Sequence, residues 1–470
     1  MVLMCFFTSP FLLAQKTWTL EECIQFANEH NLQIQQVEYG SKVNEAYLKQ
    51  SKAQRLPSLN AGANSNFVRG RTFDLFTLQQ LNGGYYSSNF SSSLSMPLYK
   101  GGSIQNSIRQ NNLQVEAGDL DVDANKESLS LMIAQTYLQI LQLEEQVKNS
   151  NNQIESSAEQ LKNTEARFEK GLVAENFVLQ QEAQLANEKW QLQQNVNALK
   201  NAKITLLQLM EKPVSDDFEI EKPNLELVEA VNPYASPADI YKTSLAIRPQ
   251  VKRAQLETES SVIEVEVARG EQFPSLNMFA DLNSNYSSAR QEVNYISSSQ
   301  VVPVGYLASD PTEFVLNKTL ITTPQVSNYQ FLNQLDDNLS FSVGLSLSIP
   351  ILSNRLYRTR IEVAKINSEL AKLSERGISN QLRKDIELAY SDLTNSIDQF
   401  NAAKKQYGFA VRTFENAEYQ YSSGLISPTD FFIEKNNFAN AQNNFVLAKY
   451  QYLFSRMIVN FYSGNKLEIN

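Results

Sequence analysis

Residues 339–350 read LSFSVGLSLSIP. Leu339, Phe341, Val343, Leu345, Leu347 and Ile349 are apolar, and Ser340, Ser342, Gly344, Ser346 and Ser348 between them are small or polar. A period of two predicts a β-strand with one oily face and one wet face. Three other runs share it. Leu59, Ala61, Ala63 and Phe67 alternate with Ser58, Asn60, Gly62, Asn64 and Asn66, and Phe90, Leu94, Met96 and Leu98 alternate with Asn89, Ser91, Ser93 and Ser95. Leu276, Met278, Ala280, Leu282 and Tyr286 alternate mainly with polar residues, though Phe279 breaks the pattern. The expected strands are about 57–68, 89–99, 274–286 and 338–350.

An oily face of this kind suits bilayer lipid, or a soluble sheet packed on helices. Each strand is about as long as a tilted membrane-spanning strand, roughly ten residues. Open sheet edges are excluded from lipid because each unpaired backbone group there costs several kcal/mol. Barrels need about eight strands or more, so four cannot close alone. Three chains related by cyclic symmetry would supply twelve.

The strands belong to a duplication. RLPSLNAGANSNF (55–67) answers QFPSLNMFADLNSNY (272–286), with Pro57 and Pro274 offset by 217 residues. SLSMP (93–97) answers SLSIP (346–350), and EKGLVAENF (169–177) answers SSGLISPTDF (422–431), both offset by 253. The offset changes once, so the second copy carries a longer insertion, expected to be an exposed loop over 287–337. Each copy reads helix, strand, strand, very long helix, helix. The first helices are expected over Leu20–Gln54 and Ala238–Gly270. No proline lies between Pro97 and Pro213 or between Pro350 and Pro428. Leu129, Met132, Ile133, Thr136, Tyr137, Ile140 and Leu141 mark an amphipathic face at three-four spacing, with Thr136 in one polar slot. Gly101 to Lys170 is 70 residues, roughly 105 Å as a helix, which suggests a coiled-coil cylinder or rod.

The expected organisation is therefore a first repeat over 15–210, an irregular acidic, proline-containing connector over 211–237 and a second repeat over 238–470. Residues 1–14, MVLMCFFTSPFLLA, resemble a secretory signal peptide that lacks its positive start. That segment and the helix length favour lipid over a soluble core. Once residues 1–14 are removed only Cys23 remains, so no disulfide framework is expected. The net charge of −10 argues against a nucleic-acid partner. His30 is the only histidine, which leaves no His-based triad or metal cluster within one chain, and no GxGxxG or P-loop is present. No enzyme activity, catalytic residue, cofactor or metal is expected; His30 reads as a surface residue and Cys23 as a small core residue.

The duplicated order, the PSLN strand openings, the junctions SLSMPLYKGG (93–102) and SLSIPILSN (346–354), and the tips ARFEKGLVAENFVLQQEAQL (166–185) and YQYSSGLISPTDFFIEKNNF (419–438) together resemble the TolC-like outer-membrane efflux family. The resemblance implies a mainly α fold with a small β part. It implies a homotrimer whose twelve-stranded barrel contacts outer-membrane lipid and continues as a periplasmic α-helical coiled-coil barrel. Such a protein is a passive conduit that docks on a periplasmic adaptor protein and an inner-membrane pump and opens by untwisting of helix pairs. A type I polypeptide-secretion outlet and a structural coiled-coil protein are the alternatives. Gly171, Leu172, Gly424, Leu425 and Ser427 would form the adaptor-docking tips, although the same residues suit plain helix–helix turns. Asp430 and Tyr421 would sit at the periplasmic entrance. Asp430 equally suits a helix N-terminal acid, and Tyr421 a half-buried coiled-coil aromatic. Many family members carry a carboxylate where this chain has Phe177, and some carry an arginine where it has Ile426; these two are expected to make an apolar constriction instead.

Overall fold

The computed structural model describes residues 17–74, 78–215, 217–222 and 236–469. The proposed signal segment with Cys5, and residues 223–235 of the connector, lie outside the described residues. The elements run β1 (Thr17–Trp18), α1 (Leu20–His30), α2 (Leu32–Ala53), β2 (Ser58–Asp74), β3 (Gln79–Lys100), α3 (Ser103–Glu169), α4 (Glu175–Leu209) and β4 (Glu219–Ile220). There follow α5 (Pro237–Ile247), α6 (Pro249–Gly270), β5 (Ser275–Ser287), β6 (Gln291–Leu307), β7 (Asp310–Asn328), α7 (Phe331–Asp337), β8 (Ser340–Ser348), α8 (Leu356–Ser422) and α9 (Pro428–Tyr462). The duplication holds residue by residue: α5 and α6 follow α1 and α2 at 217, and α8 and α9 follow α3 and α4 at 253. Both α3 and α8 have 67 residues, roughly 100 Å each. No helix among the described residues is long and apolar enough to cross a membrane.

Several expectations need correction. The first helix of each repeat is broken. Asn31 is extended (φ −64°, ψ 129°) and its Oδ1 accepts the N–H groups of Gln33 at 2.9 Å and Ile34 at 3.3 Å, so it caps a new helix. In the second copy Arg248 is extended at the matching position because Pro249 follows it, and the residue before proline avoids the helical region. The connector is not wholly irregular, since Glu219–Ile220 pairs in parallel with Thr17–Trp18. The insertion 287–337 is not an irregular loop. It holds a long antiparallel hairpin, β6–β7, and the short helix α7. Its Val, Ile, Thr and aromatic residues satisfy strand preferences. Met132 is exposed, whereas Leu129, Ile133, Tyr137, Ile140 and Leu141 are buried; Thr136 is buried with its hydroxyl on the Met132 carbonyl.

The described residues form two compact units. The helical unit lies within Met1–Leu48, Arg109–Val262 and Lys365–Asn470. One of its cores gathers Cys23, Ala27, Ile34, Ile133, Ile140, Leu206 and Met210, and the other Ile240, Val251, Leu382, Ile386 and Tyr452. Buried Tyr137 closes the first core over the β1–β4 pair, its hydroxyl 2.7 Å from the Glu221 carbonyl and 3.1 Å from that of Trp18. Burial raises its pKa, so it stays a protonated donor. His30 is exposed and stacks on Phe26 with ring centroids 4.0 Å apart.

The second unit, Lys49–Ile108 and Ile263–Ala364, carries a four-stranded antiparallel sheet in the order β2-β3-β5-β8. Register places the alternating residues of all four strands in phase. Leu59, Leu94, Ala280 and Val343 form one cross-strand row, and Met96, Met278 and Leu345 another, on the same face. The opposite face carries rows such as Asn60, Ser93, Asp281 and Ser342. Phe279, the break in alternation, lies on that polar face opposite Gly344, where a Cβ would meet its ring at 2.7 Å. α7 packs on the apolar face through Phe331, edge-on to Phe90 and Tyr286.

The junction into the long helices differs between copies. Gly101 and Gly102 take left-handed backbone (φ 59° and 78°), and the matching residues Asn354 and Arg355 adopt it too (φ 46° and 65°). Non-glycine residues pay about 1–2 kcal/mol there, arginine more than asparagine. Arg355→Gly is therefore expected to stabilise the protein by about 0.5–1 kcal/mol, read as a higher thermal midpoint in detergent.

Candidate functional site

The tips form where α3 turns into α4 and α8 turns into α9. Glycine allows each turn: Gly171 and Gly424 have φ of 71° and 73°. The Leu172 N–H donates to the Arg167 carbonyl at 2.9 Å and the Leu425 N–H to that of Gln420 at 2.8 Å, as in a Schellman C-cap. Such a cap usually buries a hydrophobic contact. Leu172 and Leu425 instead remain 66% and 72% exposed.

The two tips differ in how the second helix starts. Ser427 caps α9: its hydroxyl accepts the Asp430 N–H at 3.2 Å and donates to Asp430 Oδ2 at 2.7 Å, with Pro428 in the first turn. The carboxylate of Asp430 is therefore exposed but engaged at its own helix N-terminus. The matching cap in the first repeat is Ala174, which makes no side-chain bond. Ser427→Ala is expected to cost about 1 kcal/mol and Ala174→Ser to gain up to about the same. Amide exchange in the first turns of α9 and α4 would read both. Phe177 and Ile426 are each half-buried. Tyr421 is half-buried as well; its ring stacks on fully buried Phe431 at 4.6 Å, and its hydroxyl lies 3.5 Å from Gln181 Nε2.

Two features escaped the sequence reading. The first is a continuous stack of rings between α8 and α9. From the tip inward it runs Tyr421, Phe431, Phe414, Phe438, Tyr407, Phe445, Phe400 and Tyr452, with successive centroids 4.6–6.0 Å apart. Residues 400, 407, 414 and 421 on one helix, and 431, 438, 445 and 452 on the other, are spaced by seven, the coiled-coil repeat. That spacing was present in the sequence. The matching residues of α3 and α4 are mostly aliphatic, for example Ile154, Leu161, Leu185 and Leu192. The second is a buried polar cluster around Lys435, Glu188 and Ser157, which no local pattern announces.

Comparison with known proteins agrees with this architecture. Residues 23–211 and 240–464 match the family model described as outer membrane efflux protein. Outer membrane protein TolC of Escherichia coli is 23% identical over 429 residues, 88% of this chain and 75% of TolC. The pyoverdine export outer membrane protein OpmQ of Pseudomonas aeruginosa is 28% identical over 157 residues, so the match spans only 33% of this chain and 32% of OpmQ. The crystal structure of the outer membrane protein VceC of Vibrio cholerae superposes with a TM-score of 0.74 at 14% identity, covering 96% of this chain and 97% of VceC. The fold is therefore the one seen in VceC. A sequence match over both repeats, with the fold to go with it, makes this chain a member of the outer membrane efflux protein family.

Proposed function

We propose that the protein is the outer-membrane channel of a tripartite export system, a passive conduit serving an inner-membrane pump through a periplasmic adaptor. The observation that carries this reading is the sheet. Its apolar rows cross all four strands, and their edge-strand members are open to solvent in the single chain: Leu59, Val343, Leu345 and Leu347 are each more than 60% exposed. Exposed apolar area on this scale marks a membrane or protein contact. Strands β2 and β8 are the sheet's edges, and edges of this kind must be paired within lipid. Because neighbours alternate in direction across four strands, β8 of one copy would meet β2 of the next antiparallel. Three copies then close a twelve-stranded ring without a break in the pattern. Helix α8 also shows an uncovered stripe at coiled-coil spacing, Val363, Ile366, Leu370 and Leu373, which suits a second copy.

In this reading Gly171, Leu172, Gly424, Leu425 and Ser427 form the adaptor-docking tips. Asp430, Tyr421, Phe177 and Ile426 surround the entrance, the last two as an apolar constriction. Residues 1–14 act as the signal peptide. Fractionation with gel analysis of unheated samples tests the assignment. A detergent-dependent trimer in the outer-membrane fraction, forming discrete channels in planar bilayers, is the expected result. A protein that stays monomeric and monodisperse without detergent overturns it.

A further inference from the structure

The buried polar cluster lies eleven residues into α9 from the Gly424 turn and joins elements of both hairpins. Lys435 of α9 is 2% exposed. Its ammonium donates to the Ser157 hydroxyl of α3, lies 3.4 Å from Gln160 Oε1 of α3 and 3.7 Å from Glu188 Oε1 of α4. Ser157 donates in turn to Glu188 Oε2, and Gln184 of α4 reaches Glu188 Oε1 at 2.9 Å and Asn436 of α9 at 3.1 Å. Glu418 of α8 adds a further negative charge to the surroundings of Lys435, and burial pulls the lysine pKa down. Nothing like this occurs at the positions related by the duplication. Ser157 and Glu188 correspond to Ala410 and Ala441, and Lys435 corresponds to exposed Glu182.

A buried ion pair is poor value as a stabiliser, because desolvating both charges offsets most of their attraction. Its attested use is specificity, since only one arrangement satisfies every charge. The aromatic stack already holds α8 to α9, and apolar attraction between hairpins is less directional than a buried ion pair. A slide of the α8/α9 hairpin by one turn, roughly 5.4 Å, would separate Lys435 from Glu188 and Ser157 and leave buried charges unpaired. We infer that Lys435, Glu188 and Ser157 form a clasp that fixes a single register between the α3/α4 hairpin and the α8/α9 hairpin.

The test reads register directly. In the full-length protein, with Cys5 and Cys23 replaced by alanine, Gln184→Cys with Asn436→Cys should cross-link efficiently. Gln180→Cys with Asn436→Cys, one turn away, should cross-link roughly tenfold less. In a Lys435→Met, Glu188→Leu background the clasp predicts normal thermal stability but comparable cross-linking by the two pairs. The reversed pair Lys435→Glu, Glu188→Lys, which Ser157 can serve in either polarity, should restore the preference. Unchanged selectivity in the apolar background overturns the clasp, as does failure of the reversed pair to differ from it. The consequence for gating rests on the channel reading: in planar bilayers the apolar background should raise resting conductance roughly tenfold relative to wild type. A wild-type protein that forms no channels would sink that reading while the cross-linking result still decides the clasp.

Discussion

Replacing Val343 by arginine is expected to abolish assembly in the outer membrane, whereas arginine at the adjacent Ser342 is expected to leave it intact. Val343 stands in the middle of edge strand β8, in the apolar row with Leu59, Leu94 and Ala280, and is 64% exposed. An arginine on the lipid face near the bilayer midplane costs about 2–4 kcal/mol. A trimer bears that cost three times, roughly 6–12 kcal/mol, comparable with the whole stability of many folded domains. Ser342 points to the other face, beside Asp281, where a guanidinium meets water and a carboxylate. Neighbouring residues with the same substitution thus give opposite results because strand side chains alternate. The measurement is the amount of heat-modifiable trimer in the outer-membrane fraction. Equal trimer from both variants would mean that lipid is not what covers this face.

Leu172→Asp combined with Leu425→Asp should cut export at least tenfold while trimer yield and melting stay unchanged. Both leucines are largely exposed at turns whose backbone hydrogen bonds and left-handed glycines do not need the side chain. Their loss should therefore cost little folding stability. If they insert into an apolar seat on the adaptor, burying each contributes about 1.5–3 kcal/mol, and each 1.4 kcal/mol is a factor of about ten in binding. A buried carboxylate makes the loss larger. The readout is solute accumulation in cells, paired with adaptor co-purification. Normal export by the double variant would remove the tips from the docking surface.

The strands, the long helices and the two tips were all legible before any coordinates, because each rests on short-range periodicity and on turn chemistry. Alternation in 339–350 separates an apolar from a polar face, proline-free stretches permit 67-residue helices, and glycine marks the turns. The constant offsets revealed the duplication, and the familiar motifs in order pointed to the family. The helix break at Arg248 was also within reach, since Pro249 announces it. The break at Asn31 was less so, because an asparagine can sit in a helix or cap one, and here its amide nitrogen bonding to the distant Leu209 carbonyl favours the cap. The hairpin over 291–328 has no counterpart in the first repeat, so the duplication that located the other elements could not announce it.

What the chain determined on its own is the set of elements and which side of each is apolar, because dihedral preferences and side-chain periodicity act between near neighbours. What only the tertiary structure decided is which elements meet. The register that aligns the rows Leu59–Leu94–Ala280–Val343, and the burial of Lys435 between Ser157 and Glu188, depend on residues up to 284 positions apart along the chain. Contacts of that kind arise from packing a whole interface at once, where many weak apolar contacts set the approach and a few buried polar groups exclude every alternative alignment.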